Sequence, residues 1–213
     1  RSELLSAQAF MKKRSVAKSG QEPDRSLRME ALIQVLRRER PLLITAQKSI
    51  DIMGALRLAK EFNVQLILDG ASDAHLLIQE IKTSGVSVII HPLMTYPRGE
   101  MENMNLETPS LLQKAGIPFI FQSGYEAYVP KTRVVLWEAG MAAGNGLSFD
   151  QTLYAVTLGA ARLLGIQGRV GSLEVGKDGD LALFTGDPFE WTTRCTGTII
   201  NGRLVSDGET LKD

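Results

Sequence analysis

The chain has 213 residues, 44% of them hydrophobic, enough to bury a sizeable core in one or two domains. Its 24 basic residues balance 24 acidic ones, so no net positive charge is available to track a phosphate backbone, and nucleic acid is not an expected partner. The single cysteine, Cys195, rules out an internal disulfide and a cysteine-built zinc site, and no run approaches the ~18 apolar residues of a membrane span.

Residues 2–19 read as a helix with a basic, polar end that breaks at Ser19-Gly20. Asp24 is placed to cap a second helix, in which Leu27, Ala31, Leu32 and Leu36 recur at helical spacing, and Arg37-Arg38-Glu39-Arg40 is its solvated end. From Pro41 a rhythm begins: a short apolar run, then an amphipathic helix, then the same again. The runs are Leu42–Gln47, Val64–Asp69, Val86–His91 and Ile117–Gln122. Ser49 is positioned to cap the helix whose face is Ile52, Leu56, Ala59 and Phe62, and Ser72 to cap one that carries Leu77, Ile78 and Ile81 and stops at Gly85. Thr108-Pro109 opens the next, with proline at its first position, and Gly116 closes it. A further helix lies around Thr132–Ala143. Ser148-Phe149-Asp150-Gln151 has capping-box spacing and opens the last one, which runs through Leu153, Val156, Leu158 and Ala161 to Gly165. Four strand-then-helix units in succession mean parallel strands joined by right-handed crossovers.

Beyond the last helix come Gly168 to Phe189, GRVGSLEVGKDGDLALFTGDPF, and Gly197 to Val205, GTIINGRLV. Gly171, Gly176, Gly179 and Gly186 fall at turn positions around the alternating Leu181-Ala182-Leu183-Phe184, as in short antiparallel strands.

The run GSLEVGKDGDLALF, with Asp187-Pro188 and Asn201-Gly202-Arg203 after it, resembles the C-terminal signature of the amidohydrolase superfamily, in its imidazolonepropionase-like branch. The resemblance covers Pro41 to Val205. It implies an α/β fold in which residues 1–166 are the second half of a (β/α)8 TIM-like barrel, strands five to eight. Residues 167–213 are then C-terminal strands of a small composite β-sandwich. A whole barrel takes about 250 residues. The chain is therefore expected to be the C-terminal half of a longer polypeptide, with the missing N-terminal half as its first partner at two open sheet edges.

Relatives of this kind hold one or two divalent metals at the C-terminal ends of the strands, using histidines on strands one, five and six and an aspartate on strand eight. The metal lowers the pKa of a bound water, which attacks an amide or cyclic amide carbon while the aspartate takes the proton. Carried onto this sequence, the ligand positions are replaced. Strand five reads Ile44-Thr45-Ala46-Gln47, where Thr45 and Gln47 share a face. Strand six ends Leu68-Asp69-Gly70-Ala71, and strand eight gives Ser123-Gly124, with Gly124 at the expected aspartate position. Of the two histidines, His75 falls in the first turns of a helix, and His91 ends strand seven at the barrel mouth as a hydrogen-bonded pocket residue or a substrate contact. Thr45, Gln47, Asp69, His91, Ser123 and Glu126 are the pocket candidates. The polar segment Leu93–Glu107, with Tyr96, Arg98 and Met101, and the later Tyr125 and Tyr128 flank the same end.

The sequence thus supports a non-catalytic homologue that needs no cofactor in this half and serves as a binding or partner subunit, for a small-molecule ligand, in a homo-oligomer or beside an active paralogue. The alternative is an active hydrolase of C–N bonds, with zinc or another divalent metal held mainly by the missing half and by Asp69, His91 or Glu126. A third reading is a mouth that binds nothing.

Overall fold

The structure is a computed structural model that describes residues 1–18, 23–126, 129, 130 and 134–207. Two helices, α1 (Ser2–Val16) and α2 (Leu27–Leu36), pack on each other ahead of the sheet. Ser26, and not Asp24, caps α2: its Oγ accepts from the Met29 N–H at 3.4 Å. The expected break at Ser19-Gly20 lies outside the described residues.

Four strands follow, β1 (Leu42–Ala46), β2 (Leu66–Gly70), β3 (Ser87–Ile90) and β4 (Phe119–Phe121). They form one parallel sheet in the order β1-β2-β3-β4. The crossovers carry α3 (Ser49–Phe62), α4 (Ile78–Ser84) and α5 (Thr108–Ala115). In α3 the buried Ile52, Ala55, Leu56, Ala59 and Phe62 repeat at three and four residues, so one face meets β1 and β2. Asn63 ends this helix in the left-handed region, and Gly85 and Gly116 do the same for α4 and α5.

The caps of these helices depart from the sequence reading. Ser49 is the first residue of α3 after the cap Lys48, and its N–H donates to Asp73 Oδ2 at 2.8 Å. Ser72 caps no helix: a short 3-10 turn over Ala74–Leu76 intervenes before α4, and the Ser72 side chain turns to Gln47. Helix α5 begins at Thr108, which puts Pro109 second.

After β4 come the two-residue strands β5 (Tyr125–Glu126) and β6 (Val129–Pro130), paired antiparallel. Next are α6 (Val135–Ala143), α7 (Phe149–Val156) and α8 (Leu158–Leu163). The expected first residue of the α6 segment, Thr132, lies outside the described residues. The Ser148–Gln151 capping box is present in both directions. The last helix is not continuous, because Thr157 has φ −125 and ψ −99 and separates α7 from α8.

The C-terminal stretch is mostly turns until β7 (Leu181–Phe184), which pairs antiparallel with β8 (Cys195–Ile200), itself paired with β9 (Arg203–Ser206). Asn201 at φ 51 and Gly202 at φ 74 make the two-residue hairpin that an Asn-Gly pair favours, since both positions need positive φ. Phe189, in the β7–β8 connection, meets Phe149 edge-on, and Trp191 stacks on Trp137 of α6.

Leu68 lies at the centre of the parallel sheet with no exposed surface. Leu68→Ala is expected to cost about 2–5 kcal/mol by urea denaturation of the full chain, against less than about 0.5 kcal/mol for Ile50→Ala, whose side chain is largely exposed.

Candidate functional site

Alternate positions along a strand share a face. Leu42, Ile44 and Ala46, Leu66 and Leu68, Val88 and Ile90, and Phe119 and Phe121 point beneath the helices and belong to or pack on the core. The opposite face carries Leu43 and Thr45, Ile67 and Asp69, Ile89, and Gln122 just past β4, and it is more open: Leu43 is 56% exposed. At the C-terminal ends of parallel strands, where this architecture places ligands, that face turns polar.

Register sets the first contact. Thr45 pairs with Asp69, and its Oγ1 donates to Asp69 Oδ2 at 2.7 Å. From β4's end, Gln122 Nε2 donates to Asp69 Oδ1. Both carboxylate oxygens of Asp69 are thus engaged, one from β1 and one from the end of β4. Gln47 turns away from this group: its Oε1 accepts from the Ser72 N–H at 3.1 Å and from Ser72 Oγ at 2.7 Å.

Two glycines make room for these side chains. Gly70 has φ +83, and a Cβ built there would stand 2.7 Å from Gln47 Cδ, inside contact distance. Gly124 has φ +70, and a Cβ there would fall on the Cε1–Nε2 edge of His91. The amide of Gln47 therefore packs against the end of β2, and the imidazole of His91 against the segment after β4. Ser123 lies half-buried beside Gly124, while the side chain of Glu126 lies outside the described residues, as do that of Tyr125 and all of Tyr128.

Glu138 was missed by the sequence reading. It is the only charged residue of α6, its side chain is 3% exposed, and its Oε2 accepts from the backbone N–H of Leu93 at 2.5 Å and of Met94 at 3.2 Å. Its Oε1 stands 3.8 Å from His91 Nδ1. The signal available in sequence was a lone carboxylate inside the apolar VLWEAGMAA, since a buried charge survives only with partners. His75 belongs elsewhere. Its Nδ1 is 3.2 Å from the Ser72 carbonyl and 3.4 Å from Thr108 Oγ1, a helix-packing contact between the 3-10 turn and α5. In the 93–107 segment Leu93 is buried, whereas Tyr96 is 85% exposed. Among the described residues no three His, Cys, Asp or Glu side chains converge, and no helix is long and apolar enough to cross a membrane.

Residues 48–206 match the family model described as the amidohydrolase family. A comparison with curated protein sequences gave no match. Among solved structures, the chain is similar to an amidohydrolase from Thermotoga maritima MSB8, with a TM-score of 0.88 and 26% identity over 97% of this chain and 54% of that one. It also resembles in fold an adenosine deaminase from Xanthomonas campestris solved with bound zinc, at TM-score 0.62 and 19% identity over 85% and 49%. A molinate hydrolase gives a TM-score of 0.61 and 17% identity over 88% and 47%. The chain spans about half the length of these structures.

The packing at Gly70 gives opposite expectations for one substitution at two sites. Gly70→Ala is expected to destabilise by about 1–3 kcal/mol, from the left-handed φ and the collision with Gln47. Gly54→Ala, in open space inside α3, is expected to stabilise by up to about 1 kcal/mol. Thermal denaturation of both variants checks this, and equal effects would mean that Gln47 does not occupy that room.

Proposed function

The chain belongs to the amidohydrolase family, and on that premise we propose that it is a non-catalytic homologue, a binding or partner subunit whose strand ends have been rebuilt without a metal in this half. The observation that carries the reading is the occupation of the strand ends by the chain's own side chains. Gln47 packs against Gly70, His91 packs against Gly124, and Asp69 is held by Thr45 and Gln122.

Zinc in a hydrolytic site takes about three protein donors, imidazole nitrogen or carboxylate oxygen, at roughly 2.0–2.2 Å. The described residues do not fit that demand. Thr45, Gln47 and Gln122 are poor donors for it, and glycine at 70 and 124 offers none. Asp69 is the one carboxylate among these strand-end residues, and its two oxygens already accept hydrogen bonds. Each oxygen keeps a further lone pair, so a metal there would share Asp69 with Thr45 and Gln122 and would find no second carboxylate or imidazole among the three. His91 is turned toward Gly124 on one side and Glu138 on the other.

What this arrangement supports is recognition. Thr45, Asp69 and Gln122 form a fixed polar row across the sheet, with Gln47 and His91 at its margins, on the face of the sheet that is not covered by helices. We infer a small polar ligand at that row, within a fold that in the family is a (β/α)8 barrel with a β-sandwich, the chain supplying its second half. A homo-oligomer or an active paralogue is the expected companion. The second reading, an active C–N hydrolase, draws on the zinc-bound neighbour of the same fold and has the metal held mainly by the other half of the barrel and by Asp69, His91 or Glu126.

Elemental analysis of the full-length protein purified without chelators separates the two. The expected result is less than about 0.1 metal per chain, with no hydrolysis of cyclic amides or dipeptides when zinc or manganese is added. Near one or two metals per chain, lost on Asp69→Asn, would overturn the non-catalytic reading.

A further inference from the structure

We propose that the ligand of the Thr45–Asp69–Gln122 row is a small organic cation with N–H donors, an ammonium or an amidinium, and that Asp69 is the residue that selects it. The inference rests on the binding reading above and adds to it the charge and the hydrogen-bonding character of the ligand.

The hydrogen-bond inventory of the row carries the first part. The Thr45 hydroxyl gives its one proton to Asp69 Oδ2. Gln122 must present Nε2 to Asp69 Oδ1, because an ionised carboxylate only accepts. Most of what remains accepts. Both Asp69 oxygens and Thr45 Oγ1 keep further lone pairs, and Gln122 Oε1 accepts no bond and is not buried. Against these stands a single remaining N–H, on Gln122 Nε2. A ligand that meets the row must therefore bring donors. The acceptors are also held in place: Thr45 stands beside Asp69 by register, and the Gln122 side chain spans the end of β3, which lies between β2 and β4.

Charge narrows the class further. Asp69 is half-buried, its two bonds come from neutral groups, and it forms no ion pair among the described residues. Lys48, the basic residue just past β1, is engaged by Glu102 at 3.4 Å instead. A partly desolvated carboxylate without a counter-charge favours a cation beside it and disfavours a second anion. Hydrogen bonds between charged partners are also stronger than neutral ones. An amidinium is thus preferred over the neutral amide of the same shape, and the carboxylate of that shape is rejected.

The test uses the full-length protein, dialysed against a chelator, and titrates it with benzamidine, benzamide and benzoate by calorimetry. The three probes share a shape and differ in charge and in N–H donors. Benzamidine is expected to bind at least about ten-fold more tightly than benzamide, and benzoate least tightly. Asp69→Asn can keep both hydrogen bonds, since the Gln122 amide can turn over to accept one, so the charge alone is lost and the preference for benzamidine is expected to vanish. Carbodiimide-driven coupling of an amine to Asp69, read by peptide mass spectrometry, locates the site without a variant: benzamidine is expected to protect Asp69. Binding of benzoate as tight as that of benzamidine, a preference that survives Asp69→Asn, unchanged labelling of Asp69, or no binding by any probe would overturn the inference. Metal found in the protein before dialysis would overturn the non-catalytic reading and leave this ranking standing. A preference for benzoate in the metal-free protein would do the reverse.

Discussion

The register of the parallel sheet is the constraint on which the strand ends depend. Because Leu42 to Ala46 pair one for one with Leu66 to Gly70, Thr45 must stand beside Asp69 on the face turned away from the helices. A slip of one residue would turn Asp69 into the helix-covered core and Leu68 out of it. The buried row of Ala46, Leu66, Leu68, Val88 and Phe119 prevents that slip, so hydrophobic packing on one face fixes the polar geometry on the other. Stability and site are in this sense a single property of the four strands.

That coupling extends to the two glycines at the strand ends, each of which is paired with a side chain from a neighbouring strand. A glycine at positive φ by itself lowers stability, through the freedom it has in the unfolded chain. At Gly70 and Gly124 the missing side chain is compensated by a neighbour that enters the space, Gln47 in one case and His91 in the other. Each intruding side chain is in turn fixed from behind, Gln47 by Ser72 and His91 by the loop that Glu138 holds. A side chain at position 124, an aspartate for example, would therefore strike a packed imidazole. Gly70 with Gln47 and Gly124 with His91 are each a packed pair, so neither member can gain volume without moving the other.

Much of this was legible in sequence, for identifiable reasons. The four apolar runs and their helices show because parallel strands covered by helices need continuous apolar stretches, and left-handed caps such as Gly85 and Gly116 announce themselves as glycine. The Asn201-Gly202 hairpin is a two-residue signal with a single conformational meaning. Helix starts were less legible. Ser49 and Ser72 have the residue type of a cap, but the Asp73 carboxylate reaches across from the β2 loop to serve the start of α3, and Ser72 serves Gln47. A side chain that bonds across 24 or 25 residues leaves no local pattern. The break at Thr157 is likewise invisible to periodicity, since the apolar spacing continues through it.

The same limit governs the site. Thr45, Gln47, Asp69, His91 and Gly124 could be placed at the strand ends because those ends can be counted off from the runs, but which of them touch could not be counted. Asp69 joins Thr45 and Gln122 across three different strands, and Gln47, equally placed on the open face, leaves that group for Ser72. Glu138 is the sharper case. It lies 47 residues beyond His91 on a helix whose other residues are apolar, and nothing in spacing ties it to β3. Its burial does. A carboxylate kept at 3% exposure needs strong partners, and two backbone N–H groups together with an imidazole supply them. The charge in this apolar helix is retained by what it fixes, the backbone at Leu93 and Met94 just past β3 and the imidazole of His91 3.8 Å away.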